Sequence, residues 1–510
     1  MFIDADTAED GSVFVGDVCI IGAGAAGITL ARELGAAGLD VCLLESGGID
    51  PELETEKLSL GTNAGDPYPL EGSRVRRFGG STNHWGGLSG TLEAADFTQR
   101  PWIKHSGWPI TLNDLEPYYG RALGILDIPR RYSFAELERD VELYPRLLGP
   151  DSKTFEPVLR LQSPPTRMGV KYMEEIARSA RIRCYLHANA IELVPGEHGR
   201  TVERLSAATL KGRRFTFRAR HYALCTGGVE NARILLLSNS VVKTGLGNDN
   251  DLVGRFFMDH FNLGVGEMIV APPPGAKGFQ ESHVHSRALS SGLSGVADWI
   301  TIATTPQARA RLKLLGYSVN IPQLHQPDPG DSDVAELVTN PTGQPTNVAP
   351  SPAAQRYPLF VFAEQAPNPN SRVLLSGEKD ALGCRKIAIA WHPLPEDLRS
   401  IRQSSEQFAL DVAQAGHGRV KLDELAGPWL GGGGHHQGTT RMADDPKRGV
   451  TDRHGKVHGI ANLHVAGGSL FPTGGFMSPT LTIVALALRL ADRLRVLGSE
   501  PAAQTDSRGP

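Results

Sequence analysis

The chain has 510 residues, of which 40% are hydrophobic and 21% charged, and this ordinary globular usage excludes a disordered, collagen-like or coiled-coil protein. Fifty-two Lys and Arg against 56 Asp and Glu give a formal net charge of −4, which argues against a nucleic-acid-binding face. The length indicates two or three domains, or one intertwined body.

The ends of the chain and its cysteines indicate a protein of a reducing compartment. The leader from Met1 to Gly16 is acidic and lacks the basic and apolar regions of a secretory signal. The five cysteines are widely spaced and lie mostly in apolar runs, so we expect free thiols and, by default, the cytoplasm. The longest apolar run, Leu481 to Leu488, is too short to span a bilayer and predicts a buried helix.

The first readable unit predicts a dinucleotide site. Val13 to Ile21 is an apolar, β-branched run that predicts a strand buried on both faces of a parallel sheet. Gly22, Gly24 and Gly27 follow and open a helical pattern, after which a second buried strand ends in Glu45. The glycines permit a tight turn and the approach of a pyrophosphate to the helix N-terminus, and Glu45 is placed to accept hydrogen bonds from a ribose. An acidic residue there disfavours NADP and leaves FAD or NAD.

Further elements follow along the chain. FGGSTNHWGG at 78–87 predicts a glycine-rich loop, and residues 168–180 show a helical pattern. Residues 221–238 predict a strand, a turn at Gly227 and a helix. Pro322 to Pro358 is Pro-rich and predicts a long surface excursion near the ligand. At the C-terminal end, a strand, a loop and a helix precede a frayed tail.

Several blocks, in a fixed order over about half of the chain, resemble the glucose-methanol-choline (GMC) oxidoreductases, which are FAD enzymes that oxidise alcohols. They are GAGAAG with Glu45, FGGSTNHWGG, GWP at 107–109, TGGVENARILL at 226–236, HHQGTTRM, and AGGSLFPTGGFMSPTLTIVALALRLAD. Within the family, the GST-x-HW loop, the EQAPNPNSR block at 364–372 and the HxxGTTRM form are most similar to pyranose oxidases and bacterial glycoside 3-oxidases.

The resemblance implies FAD as the cofactor and an α/β fold, α+β overall. A Rossmann-like FAD-binding domain (14–100, 170–262 and 435–497) would be interleaved with a substrate domain (101–169 and 263–434) on a mostly antiparallel sheet with helices, followed by a tail (498–510). Besides the fingerprint residues, the resemblance places against the cofactor Gly80, Ser81, Asn83, His84, Gly227, Gly467, Gly468, Pro479 and Thr480.

Two residues of the 78–87 loop are given a flavin role by the resemblance. Asn83 is expected near the reacting nitrogen of the flavin. His84 corresponds to a histidine that some pyranose oxidases link covalently to the flavin. Similar enzymes bind FAD without that bond, so we expect non-covalent FAD beside a packed, hydrogen-bonded His84, with the covalent link as the alternative.

The expected chemistry needs a base. Oxidising an alcohol removes the hydroxyl proton while the carbinol hydride passes to the flavin, and a neutral imidazole is the natural acceptor of that proton. The resemblance assigns this role to His435, whereas His436 points the other way if the segment is extended. The Asn or His that the family usually supplies is replaced by Ser478, which can donate to the substrate oxygen or hold an ordered water but is no base near neutral pH. Either Ser478 is a weaker orienter that touches the substrate or His435, or another residue has taken this function. Asp259 and His260, in GRFFMDHF, are expected to be structural.

These residues predict FAD-dependent oxidation of a secondary alcohol of a sugar or glycoside to a keto-sugar, with reoxidation by oxygen or another acceptor. The alternatives are an oxidoreductase of a non-sugar alcohol, a flavin-containing lyase of the same fold, and a flavin-binding protein without catalysis. No motif in the sequence distinguishes an oxidase from a dehydrogenase, and no metal site, membrane span or oligomeric state is predicted.

Overall fold

The structure, a computed structural model, describes residues 1–128, 148, 152–270, 299–321, 355–416, 418–425 and 432–499. Residues 322–354, most of the expected surface excursion, lie outside the described residues, as does the tail from residue 500 onward. Residues 355–358 were expected to continue that excursion, and they begin a strand instead.

The first sheet has eight strands, numbered in chain order, with a parallel centre. Its middle strand, β2 (Val13–Ile21), pairs in parallel with β3 (Val41–Leu44) on one side and β10 (Arg214–Leu224) on the other. The other strands are β1 (Phe2–Asp4), β7 (Ile182–Leu186), β8 (Asn189–Pro195), β9 (Val202–Ala208) and β18 (Leu463–Val465). The order is β1-β7-β3-β2-β10-β9-β8, and β18 also pairs with β10.

One detail of this sheet differs from the sequence-based expectation. Only the second half of β2 is buried on both faces, because Val13 and Val15 are exposed at the end of the strand away from the glycine turn. The acidic leader contributes β1, a parallel edge strand beside β7.

The second sheet has seven strands, and every pair in it is antiparallel. In spatial order its strands are β17 (Gly418–Leu422), β11 (Phe261–Val270), β14 (Gln355–Ala363), β13 (Tyr317–Asn320), β12 (Trp299–Thr304), β6 (Phe155–Gln162) and β5 (Leu88–Ser89). A small third sheet contains β15 (Arg372–Lys379), β16 (Arg385–Ala390) and β4 (Gly61–Asn63). This combination is the mixed fold that was predicted, although its domain boundaries stay a prediction.

The described α-helices connect and cover the sheets. They are α1 (Ala25–Ala36), α2 (Leu53–Glu56), α3 (Ala94–Phe97), α4 (Glu116–Ile125), α5 (Met168–Arg178), α6 (Gly227–Leu237), α7 (Pro306–Leu312), α8 (Pro395–Ala415) and α9 (Thr480–Ser499). The apolar helix α9 packs on α1 and α4, as expected for the run from Leu481 to Leu488, which is almost entirely buried. Among the described helices, none has both the length and the apolar character needed to cross a bilayer.

Candidate FAD and catalytic site

Three glycine turns lie at the same edge of the first sheet. Strands β2, β10 and β18 run parallel, and their register aligns the last residues of all three. The turns that follow contain Gly22, Gly227 and Gly467, whose φ angles of 98°, 83° and 124° favour glycine. Ligands bind at the carboxyl ends of strands in such sheets, so this edge is the natural cofactor site.

Close packing explains the glycines of the fingerprint. A Cβ on Gly22 would lie 2.8 Å from the carbonyl oxygen of Cys225, and one on Gly27 would lie 1.8 Å from that of Gly22. A Cβ on Gly80 would lie 2.9 Å from the Cα of Gly24, so the 78–87 loop closes on the fingerprint turn. Helix α1 begins after Gly24 without a side-chain cap, which leaves its first amides for an anion. This arrangement fits the pyrophosphate of a dinucleotide.

Glu45 is buried directly after β3, where the sequence places a ribose acceptor. Its Oε2 accepts a hydrogen bond from the backbone N–H of Ala23 at 3.0 Å, and its Oε1 accepts one from that of Gly47 at 3.2 Å. Burial raises the pKa of this carboxyl, while the two backbone donors act in the opposite direction. Glu45 therefore joins the two turns, and its contact with a ribose stays a prediction.

The 78–87 loop uses its side chains differently from the expectation. The Asn83 amide donates to the carbonyl oxygens of Phe78 and Gly80, each at 2.9 Å, so this group braces the loop. Ser81 is exposed. The His84 side chain is also exposed and makes no hydrogen bond to a described residue, so the expectation of a packed, hydrogen-bonded His84 beside FAD stays a prediction. Its side chain is available beside the loop, and its relation to FAD stays a prediction.

At the C-terminal end, the residues expected to face the flavin lie in a short turn and at the start of the last helix. Gly468 begins a 3-10 turn, and the carbonyl oxygen of Pro479 accepts the first hydrogen bond of α9, which starts at Thr480. Ser478 is buried and makes no hydrogen bond to any residue that the structure describes, His435 included. Its hydroxyl therefore has no partner among the described residues, and its role towards a substrate stays a prediction.

The expected base, His435, is held by a segment far away in sequence. Residues 258–261 and 432–437 run antiparallel, with bridges from Met258 to Gln437 and from Phe261 to Gly432. The Asp259 carboxylate accepts hydrogen bonds from the backbone N–H groups of His435 at 2.8 Å and of Gly434 at 3.0 Å. It also accepts from the hydroxyl of Tyr68 at 2.5 Å and the backbone N–H of His260 at 2.7 Å.

The ring of His435 meets the ring of His260, with 2.9 Å between their Nδ1 atoms. On its other side, His260 Nε2 lies 3.0 Å from the carbonyl oxygen of Gly475. A carbonyl only accepts, so Nε2 of His260 carries a proton. In a neutral imidazole Nδ1 then accepts, and it must accept from the Nδ1–H of His435. The second nitrogen of His435, Nε2, consequently keeps a free lone pair.

The pKa values favour this neutral arrangement. Burial, with a smaller contribution from the positive charge of Arg160, lowers the pKa of His260 to about 4. Burial also lowers the pKa of His435 well below the ordinary imidazole range, and the neighbouring His260, His436 and Arg160 act in the same direction. Burial raises the pKa of Asp259 to about 6. Near neutral pH both histidines are therefore uncharged, and His435 is able to accept a proton at Nε2.

His436 faces a different group of residues, as the extended-segment argument predicts. Its ring lies 5.8 Å from those of Tyr68 and Phe257, whereas His435 contacts His260 and Phe362. Burial lowers the pKa of His436 to about 3, and its Nε2 has no partner among the described residues. It belongs to the packing behind the glycine turns.

The sequence analysis missed that Asp259 and His260 meet the expected base. They were expected to be structural, and the structure places both against His435, so a functional role for them is a prediction. The available signal was the GRFFMDHF block itself, an acid and a histidine directly before a strand. Side-chain atoms of Asp259, His260 and His435 lie within 4.8 Å of one another, but they are used in hydrogen bonds, so we assign this cluster no metal.

Comparisons with known proteins identify two domains in the chain. Residues 367–487 match the GMC oxidoreductase family, and residues 17–245 match the FAD dependent oxidoreductase family. The chain contains a GMC oxidoreductase C-terminal domain and an FAD oxidoreductase domain. It is an FAD-dependent oxidoreductase, and FAD is the cofactor that the glycine turns and Glu45 fit.

Individual relatives agree with this assignment. The chain is 26% identical to paromamine 6'-oxidase of Streptomyces fradiae, over 95% of this chain and 92% of the relative. It is 27% identical to the fructose dehydrogenase large subunit of Gluconobacter japonicus, over 54% of this chain and 47% of the relative. The structure is similar to formate oxidase of Aspergillus oryzae, with a TM-score of 0.57, 18% identity and coverage of 96% and 99% of the two chains. At that identity the structural likeness supports the fold alone.

Proposed function

We propose that this GMC oxidoreductase oxidises a secondary alcohol of a sugar or glycoside to a keto-sugar, with His435 as the general base. The observation that carries the proposal is the free Nε2 of a neutral His435 whose Nδ1–H is committed to His260. The relatives named for paromamine and fructose support a sugar-like substrate.

The chain's own part in the reaction is proton transfer and positioning. His435 Nε2 accepts the hydroxyl proton as the carbon–oxygen double bond forms and the carbinol hydrogen leaves with its electron pair. When bound, FAD supplies the acceptor for that hydrogen and its electrons. Asp259 holds the backbone of His435, His260 fixes its tautomer, and the uncommitted hydroxyl of Ser478 donates to the substrate oxygen. A positioned base contributes typically ~10²–10⁴-fold.

The test is an anaerobic titration of the purified holoenzyme with free sugars, O- and C-glycosides, and simple aliphatic and aromatic alcohols. Bleaching of the oxidised flavin by one sugar class supports the proposal and identifies the substrate. Bleaching only by non-sugar alcohols contradicts the substrate class, and no bleaching by any compound contradicts redox chemistry on these alcohols. Air is then admitted: fast recovery of the absorbance identifies an oxidase, and slow recovery identifies a dehydrogenase.

The role of His435 is separated from that of FAD by the His435→Ala variant. This variant is expected to keep its flavin and to lose flavin reduction by at least ~10²-fold. Near-normal reduction in a flavin-loaded variant would remove His435 from the mechanism.

A further inference from the structure

A buried charged side chain, Arg160, lies near His435. Arg160, on β6, extends across the second sheet, where its Nη2 donates to the hydroxyl of Ser318 at 2.8 Å and to the carbonyl oxygen of Phe476 at 3.4 Å. Its guanidinium carbon lies 4.6 Å from the ring centroid of Phe362. The side chain is 1% exposed, which is an unusual position for an arginine.

The charge of Arg160 has no carboxylate partner among the described residues. Its Nε and Nη1 make no hydrogen bond there, and it forms no ion pair. By contrast, the guanidinium of Arg100, also buried, uses both Nη atoms on the carboxylate of Glu364. Burial lowers the pKa of Arg160 to about 10, so the guanidinium still carries its charge near neutral pH. A buried charge without a partner is costly for stability, and such sites commonly serve a ligand.

Arg160 and the catalytic pair face the same loop. The carbonyl oxygen of Gly475 binds His260, and that of the next residue, Phe476, binds Arg160. The ring of Phe362, which Arg160 covers, lies 6.2 Å from the ring of His435. Ser478 follows on the same loop. The guanidinium therefore lies close to His260 and His435 and to the loop that carries Ser478.

We propose that Arg160 is a substrate-binding residue that donates to an oxygen of the sugar and excludes sugars that carry an ammonium group. This inference rests on the proposed function and adds its substrate class, an uncharged or acidic sugar. A hydroxyl or carboxylate oxygen satisfies the unpaired N–H groups, whereas an ammonium group meets an uncompensated positive charge in a poorly solvated site. The paromamine oxidase relative, named for an amine, would differ from this chain in that respect.

The test compares glucose, glucosamine and N-acetylglucosamine as probes at a pH where the glucosamine amine is protonated. Binding is measured by calorimetry under anaerobic conditions on the flavin-loaded His435→Ala protein, whose flavin reduction is expected to be at least ~10²-fold slower. Flavin reduction is measured on the holoenzyme with native His435. Glucosamine is expected to bind at least ~10-fold more weakly than glucose. N-acetylglucosamine, which has the substituent without the charge, controls for size and is expected to bind better than glucosamine.

Variants connect this discrimination to Arg160. Arg160→Met is expected to weaken glucose binding and to bring the ratio of the affinities for glucose and glucosamine close to one. Arg160→Lys keeps the positive charge and is expected to keep the preference for glucose. Arg356→Met is the matched control, because Arg356 lies on β14 of the same sheet, is exposed and pairs with Glu267. It removes the same charge and is expected to leave both affinities unchanged. Flavin content and thermal unfolding show whether each variant is folded.

The outcomes separate the two proposals. Equal binding of glucose and glucosamine to the protein with native Arg160 would overturn the role of Arg160, and this comparison needs no Arg160 variant. An unchanged ratio in a folded Arg160→Met protein would overturn it as well, even if sugars reduce the flavin. If no sugar binds or reduces the flavin, the proposed function fails and the role of Arg160 fails with it.

Discussion

The hydrogen bond between His260 and His435 gives the sharpest prediction. Replacing His260 by Leu keeps an apolar side chain of similar reach but removes the acceptor for the Nδ1–H of His435. The ring of His435 then loses the contact that fixes its tautomer, and part of the population carries its proton on Nε2, where it cannot act as a base. We expect slower flavin reduction with little change in substrate affinity.

The magnitude follows from the geometry. A hydrogen bond of 2.9 Å between two neutral groups contributes about 0.5–1.5 kcal/mol net, and about 1.4 kcal/mol changes a rate tenfold. The expected loss is therefore about 2- to 13-fold, well below the loss for removal of the base itself. His260→Asn, whose side-chain carbonyl is able to stand in for Nδ1 as an acceptor, is expected to recover part of the rate.

The assay is single-turnover flavin reduction under anaerobic conditions, with the rate constant at saturating substrate and the apparent affinity taken from the same series. Flavin content and thermal unfolding of His260→Leu and His260→Asn serve as controls for folding. An unchanged rate constant in His260→Leu would refute the tautomer argument. A loss as large as that of His435→Ala would instead make His260 part of the proton-transfer chemistry.

The remaining predictions concern the pH dependence of flavin reduction, the role of Ser478 and the cofactor site. Because burial lowers the pKa of His435 and only the neutral ring accepts a proton, the rate of flavin reduction should stay constant near neutral pH and fall only below about pH 6.5. A rate that already falls with acidification above about pH 6.5 would contradict the burial argument. Ser478→Ala should cost far less than His435→Ala in the same reduction assay, and equal losses would show that serine is a major partner. Gly27→Ala should give protein without bound FAD or poorly folded protein, measured by the ratio of flavin to protein absorbance, since its Cβ would overlap the carbonyl oxygen of Gly22; full flavin occupancy would refute the close-packing argument. Glu45→Gln should weaken FAD retention during dilution while the fold persists, and unchanged retention would argue against a ribose contact.

Local sequence patterns were sufficient for the cofactor half of the site. The apolar run of β2, the glycines at 22, 24 and 27, and Glu45 lie within one short unit, so their relation is fixed by the geometry of a strand, a turn and a helix. The same holds for the turn at Gly227 and for the C-terminal helix. The loop residues Asn83 and His84 were harder to predict, because the contacts of a loop side chain depend on which neighbours the loop meets.

The sequence by itself determined the fold class and FAD as the cofactor, and it predicts the FAD-binding residues and the base, because each is carried by residues close together or by a motif with its own spacing. Only the tertiary structure decided how His435 is held. His260 and His435 are separated by 175 positions, and their contact arises from the antiparallel pairing of two segments that no local periodicity encodes. That Arg160 has no carboxylate partner among the described residues is likewise invisible in the sequence, since whether an arginine has such a partner depends on which strands become neighbours in the sheet.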